Sequence, residues 1–251
     1  MKRLLYLTYL STLLFLVSAC EKENIMPSEA AVATDNTRTG ACTSYFYTTK
    51  TCTVNLGNAR SGYVLIDFDD NFSPTQQEQL LSGYSIFEAL EPEFYMDSGL
   101  LSVARLDAQA TCHDIEAMIN QLHAHPSVML ATPIFEPFPA QQTIFEWMGL
   151  TGEFIVEMKT PNSYHKLQAL ALATNTTIVD NLFDRTYLLL ADKNSLGTPL
   201  EVISTFNASN HIKLAEPNFI FQYLPFRSSQ PGTPQLQTLH RIRLNNNALP
   251  E

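Results

Sequence analysis

Histidines, acidic pairs and cysteines are the residues with chemical reach in this 251-residue sequence. His113, His123 and His125 lie on or beside one expected helix, in "CHDIEAMINQLHAHP". A helical metal site needs its ligands on one face, for example two histidines four residues apart with a carboxylate nearby. His113 and His123 stand almost three turns apart, and His125 sits at the helix end before Pro126. This is the pattern of a surface helix whose C-terminal histidine complements the helix dipole. "FDDNF", residues 68–72, sets two carboxylates side by side. A calcium loop needs more oxygen ligands at fixed steps, so a solvated turn is expected there. Asp180 and Asp184 flank a turn in the same way. The nine glycines form no phosphate-cradling loop. No titratable groups converge as a catalytic set would, so the sequence predicts no catalytic residue, no metal and no cofactor.

The cysteines point elsewhere. Lys2 and Arg3 precede Leu4 to Val17, an apolar stretch broken only by Thr8, Ser11 and Thr12. A stable bilayer span takes about 20 apolar residues, so this stretch reads as an export signal. It closes on Val17-Ser18-Ala19-Cys20, which resembles a bacterial lipobox. Residues 1–19 are therefore expected to be a lipoprotein signal peptide, with Cys20 the lipidated residue. Glu21, Lys22, Glu23 and Asn24 come next and resemble the surface-export signal of Bacteroidetes lipoproteins. Lipidation would anchor the protein to the cell envelope, at the outer membrane, with its face left open. Residues 20–41 read as a polar tether. A net charge of −10 repels phosphate backbones and argues against nucleic acid as a partner. An exported chain can form disulfides. Cys42 and Cys52 lie close together around "TSYFYTTKT" and would staple a hairpin, unless both stay reduced. Cys112 is then left over, and reads as a small half-buried residue rather than a nucleophile.

The elements that carry these residues come in two similar sets. "VMLATPIFEPF", residues 128–138, returns as "IKLAEPNFIFQY", residues 212–223. Leu130, Ala131, Pro133 and Phe135 match Leu214, Ala215, Pro217 and Phe219. Around the second copy, Glu153–Met158 reads as a strand, and Tyr164, Leu167, Leu170 and Ala171 line one helical face. Thr176–Asp180 and Tyr187–Ala191 read as two strands. Thr198, Pro199 and Glu201 begin a second helix, with the cap, the first-position proline and the reciprocal carboxylate that a helix start requires. His211–Tyr223 is the last strand, interrupted at Pro217. The first copy runs in the same order: Tyr63–Phe68, a helix capped by Ser73, Tyr84–Ala89, Leu100–Leu106, a helix capped by Thr111 with Ile115, Met118, Ile119 and Leu122 inward, and Val128–Phe135. Val64 and Phe154, Thr111 and Thr198, and Pro133 and Pro217 are separated by nearly equal lengths of chain, as a duplication requires.

This order predicts an α+β fold of two tandem ferredoxin-like βαββαβ units, each a four-stranded antiparallel sheet with two helices on one face. The expected divisions are 42–138 for the first unit with its N-terminal hairpin, 139–151 for a linker, 152–226 for the second unit, and 227–251 for a disordered tail. Trp147, in the linker, is expected to pack between the units. The repeated proline suits an edge strand or a strand exit.

Within the second set, "MGLTGEFIVEMKTPNSYHKLQALALATNTTIVDNLFDRTYLLLADKNSLGTPLEVISTF" and then "KLAEPNFIFQY" resemble the propeptide of subtilisin-like serine peptidases, of the fervidolysin-like type from Bacteroidetes. The resemblance is specific over about 147–224 and looser over 62–138. The residues after Tyr223 carry none of the Asp, His and Ser motifs of a peptidase domain, and His240 in "TLHRIRL" lacks their context. The resemblance thus implies a propeptide-like, non-enzymatic lipoprotein that binds a subtilisin-like peptidase, inhibiting or chaperoning it. Family propeptides lay their sheet on the enzyme and thread their C-terminal segment through the cleft. Here that segment would be Phe221, Gln222, Tyr223, Leu224, Pro225 and Phe226. The alternative is a general protein- or peptide-binding surface lipoprotein that keeps only the propeptide fold.

Overall fold

The computed structural model describes residues 42–224 and 239–240. The regions expected to be signal peptide and tether, together with Cys20, Pro225 and Phe226, lie outside the described residues.

Helix starts fix much of the frame. Thr111 accepts a hydrogen bond from the Asp114 amide at 3.2 Å, and the Asp114 carboxylate accepts one from the Thr111 amide at 2.9 Å. That box opens α2 (Cys112–His123), which turns Ile115, Met118, Ile119 and Leu122 inward. Thr198 and Glu201 make the same box and open α4 (Pro199–Ala208). Each box satisfies amides that the helix itself cannot. The other two α-helices among the described residues are α1 (Pro74–Leu81) and α3 (Tyr164–Thr174).

The strands are β1 (Tyr45–Thr48), β2 (Thr53–Gly57), β3 (Arg60–Phe68), β4 (Phe87–Tyr95), β5 (Leu100–Leu106), β6 (Val128–Phe135), β7 (Phe145–Gly149), β8 (Glu153–Met158), β9 (Thr177–Phe183), β10 (Thr186–Leu190), β11 (Ile212–Pro217), β12 (Ile220–Tyr223) and the short β13 (Leu239–His240). They form a hairpin, β1-β2; a four-stranded sheet in the order β11-β8-β10-β9; and a curled seven-stranded sheet in the order β13-β12-β7-β6-β3-β5-β4. Every pairing is antiparallel.

The expectation of two tandem ferredoxin-like units, each with its own four-stranded sheet, is therefore wrong. The described chain is mostly strand, in three sheets, and the sheet of the first set does not stop at four strands. The reason lies in residues 139–151, expected as a linker. They contain "FEWMG", whose Phe145, Trp147 and Met148 are 8%, 2% and 0% exposed. So apolar a run gains by burial against the sheet. It pairs with β6 through Ile134↔Gly149 and Phe135↔Met148. β12 then pairs with β7, so the last strand of the second set enters the first set's sheet. Gly149 suits this crowded place, since a Cβ there would stand 3.1 Å from Ile220 Cγ1 of β12 and 2.5 Å from Leu65 Cδ1 of β3. Leu239–His240, within the stretch expected to be a disordered tail, pair with β12.

Three cores result. One lies under α1 and α2 and includes Val64, Ile66, Ile115 and Leu122. A second, on the opposite face of the same sheet, gathers Leu65, Leu101, Val103, Ile134, Trp147 and Ile220. The largest joins the four-stranded sheet and its helices to the hairpin and to β7 and β12, through Phe154, Leu189, Phe206, Tyr47, Met148 and Phe221. Trp147 thus packs within the curled sheet rather than between two units.

The expected Cys42–Cys52 staple is also corrected, since Cys42 is bonded to Cys112, with Cα atoms 6.0 Å apart. The hairpin register explains why. Thr48↔Thr53 puts Cys52 in the turn, whereas Tyr45↔Gly57 puts Cys42 beyond the open end. Cys42 meets instead the first residue of α2, where Thr43 also donates its amide to Glu116 at 2.9 Å. Cys112 is a disulfide partner, not a leftover thiol.

Candidate functional site

The histidines do not gather. His123 Nε2 lies 3.0 Å from the Ala131 amide nitrogen and 2.8 Å from the Ala131 carbonyl oxygen, tying α2 to β6. Desolvation pushes its pKa below the usual 6.5. His125 Nδ1 accepts the Ser127 amide at 3.2 Å. Asp69 accepts from the Asn71 amide and side chain at 3.0 and 2.9 Å, which holds its pKa down and closes the "FDDNF" turn on itself. Among the described residues no cluster of His, Cys, Asp or Glu has the geometry to hold a metal.

Of the segment expected to enter a peptidase cleft, Phe221 to Tyr223 are already paired with β7. Phe221 and Gln222 are 8% and 5% exposed in β12. Phe145 packs on Phe221 and Tyr223, with ring centroids at 4.7 and 4.9 Å. Leu224 is exposed, and its amide donates to Ile144 O at 2.9 Å. The run is polar-aromatic in sequence, but strand pairing decides its accessibility, and no local pattern announces that partner.

Acidic side chains converge where the two sheets meet. Glu153 is 1% exposed, and its carboxylate accepts the Ser98 amide at 2.8 Å and the Asn218 side chain at 2.6 Å. Beside it, a cavity of about 10 Å³ is lined by Asp67, Met96, Ser98 and Glu153. That is room for roughly one water. Burial, then Asp192, Asp70 and Glu153, push the Asp67 carboxyl up to about 7. This is a joint fastening the β4–β5 turn to β8.

A candidate surface for a partner lies at the outer edge of the four-stranded sheet. Phe154, Val156 and Met158 face the helices, so Ile155 and Glu157 face the other way. The register puts Leu188 and Glu216 beside Ile155, and Leu214 beside Glu157. Glu157 is bracketed by Arg185 at 3.2 Å and Lys213 at 3.0 Å. The three long sheet edges differ in their protection. β4 carries Glu88, Glu91, Pro92 and Glu93, and β11 carries Lys213 and ends on Pro217. Charge and proline are the usual guards of an edge strand. β9, "TIVDNLF", has no proline and a single charge, and it pairs only with β10 among the described residues. Leu182 and Phe183 on it are 36% and 41% exposed. Beside it opens a groove of about 400 Å³ lined by Tyr164, Ile178, Val179, Asp180, Asn181 and Tyr187. No family model, curated protein or solved structure matches this chain.

Proposed function

We propose that the chain is a non-enzymatic, lipid-anchored protein of the cell envelope that binds another protein through the four-stranded sheet, and that its partner is a subtilisin-like serine peptidase. The observation that carries the binding role is the unguarded β9 edge beside a half-apolar groove. The propeptide resemblance supports the choice of partner, because the resembling residues are those that build this sheet. Inhibition or chaperoning would result from covering the enzyme's surface. The pairing of Phe221 to Tyr223 in β12 favours contact by the sheet over threading of that segment. It equally favours the second reading, a general protein- or peptide-binding surface lipoprotein.

The test is titration of the lipid-free chain into a panel of subtilisin-like peptidases, following peptide hydrolysis and complex formation by gel filtration. A stoichiometric complex with slowed hydrolysis supports the peptidase reading. Digestion of the chain, or no complex with any enzyme, rejects it and leaves the general binding role.

A further inference from the structure

We propose that the β9 edge accepts an extended partner segment as a fifth strand, selecting a basic side chain flanked on both sides by apolar or aromatic ones. The inference rests on the protein-binding reading and gives it a ligand chemistry. An outer strand presents unpaired N–H and C=O groups that template another strand. All pairings in this sheet are antiparallel, so the incoming strand is taken as antiparallel too.

The register dictates the side-chain rule. Asp180 lies opposite Leu188, which lies opposite Ile155, so the Asp180 side chain stands on the face away from the helices, and it is exposed at the sheet edge. One of its oxygens accepts the Asn181 amide at 2.8 Å, leaving the other for a partner. Arg185, in the β9–β10 turn, is already committed to Glu157 and to the Lys159 carbonyl. An incoming lysine or arginine at that position therefore meets an acid that forms no ion pair among the described residues. The next residue on either side must point to the helix face, because strand side chains alternate. On β9 itself a register irregularity between Asp180 and Ile178 brings Ile178, opposite Leu189, to that helix face, where Tyr164 and Tyr187 stack with centroids 5.2 Å apart along the groove. Apolar and aromatic side chains fit that wall.

A second copy of the chain fits less well. Asp180 is the middle residue of Thr177–Phe183. Full antiparallel self-pairing would set Asp180 directly against its own copy, and like charges placed so are destabilising.

The test uses fluorescence anisotropy with the whole lipid-free chain and no peptidase, so its outcome is independent of the inhibition assay. The probe is a labelled peptide of alternating Thr and Val, with a central Lys between two Phe residues. A matched peptide carries Glu in place of Lys. The wild type should prefer the Lys peptide by roughly fivefold, and Asp180→Lys should reverse that preference. Two further Lys peptides are N-methylated at alternate amides, in opposite phase. One should lose binding and the other keep it, as expected when only every second amide faces the edge. No saturable binding to the wild type, an unchanged preference in Asp180→Lys, or equal binding of both methylated peptides would each overturn the proposal. So would a wild-type dimer, seen by sedimentation, that no Lys peptide dissociates.

Discussion

The two copies of the repeated phrase do different work. Ala131 pairs with Ile66 and Pro133 with Val64; Ala215 pairs with Val156 and Pro217 with Phe154. Up to the proline the copies are in the same register. Beyond it they part. In β6 the strand continues through Pro133, and Ile134 and Phe135 take up β7 on the other side. In β11 the ladder stops at Pro217, and Ile220–Tyr223 leave for the curled sheet. The proline interrupts nothing in β6, because the ladder with β7 begins one residue after it. Similar words thus make an interior strand in one place and a crossing between sheets in the other. A phrase fixes its near neighbours, and the course of the chain beyond it is set by whichever apolar run next claims the open edge.

The largest expected effect breaks this comparison at matched positions. Phe135 is fully buried and stacks edge-on with Tyr45 at 5.2 Å, whereas its counterpart Phe219 is half-buried. Phe135→Ala should cost about 3–5 kcal/mol, as for a fully buried aromatic side chain. Phe219→Ala should cost about 1–2 kcal/mol, because less apolar area is lost. Urea unfolding of the two variants measures the difference. Equal costs would mean that the copies are equivalent after all.

That contrast also marks where the sequence was readable. Capping at Thr111 and Thr198, the inward faces of α2 and α4, and the matching register of Val64 and Phe154 are all dictated by local chemistry and spacing. The sheet count is not, because β7 is too short to outweigh a linker reading, and Ile220–Tyr223 continue a phrase that looks like one strand. Cys42 to Cys112 joins residues 70 apart in sequence, and proximity along the chain favoured Cys52 instead. At the candidate site, the exposure of β9 depends on its place in the strand order. Its sequence shows only that it lacks the proline and the multiple charges that guard β4. The fate of Phe221 and Gln222 was illegible for the same reason, since their accessibility is set by a partner strand, β7, more than 70 residues earlier in the chain.

The disulfide sharpens the asymmetry between the sets, because it ties the hairpin to α2 of the first. A cross-link closing a loop of this length stabilises by about 2–4 kcal/mol, chiefly through the unfolded chain. Cys112→Ser should lower stability by that amount. It should also speed proteolysis around residues 42–57 before it affects the four-stranded sheet. Simultaneous exposure of both regions, read by limited proteolysis, would show that the hairpin is held mainly by its contacts with α4.

The smallest effects come from one more matched pair. Asp67 pairs with Leu130 as Glu157 pairs with Leu214, so the two acids hold the same register position. Glu157 has two cations beside it; Asp67 has only acids, and burial raises its folded pKa to about 7 from an ordinary 3.8. Between those values the native state binds the proton that the unfolded state has lost, so stability falls as pH rises toward 7 and stays lower above it. Asp67→Asn removes that penalty. It should stabilise the protein by on the order of 2 kcal/mol at pH 8 and much less at pH 4. His123 works in the opposite sense. Its depressed folded pKa lets the unfolded chain take up a proton first as pH falls below 6.5, so acidification costs stability there. Asp67→Asn should therefore leave a pH profile in which stability rises as pH climbs toward 6.5, under the control of His123. Glu157→Gln, by contrast, removes half-exposed ion pairs and should cost only about 0.2–1 kcal/mol, less at high salt. Thermal melts of the two variants across pH 4–8 separate the cases. A pH-independent gain in Asp67→Asn would mean that its carboxylate reaches water, and that the joint between the sheets is open rather than sealed.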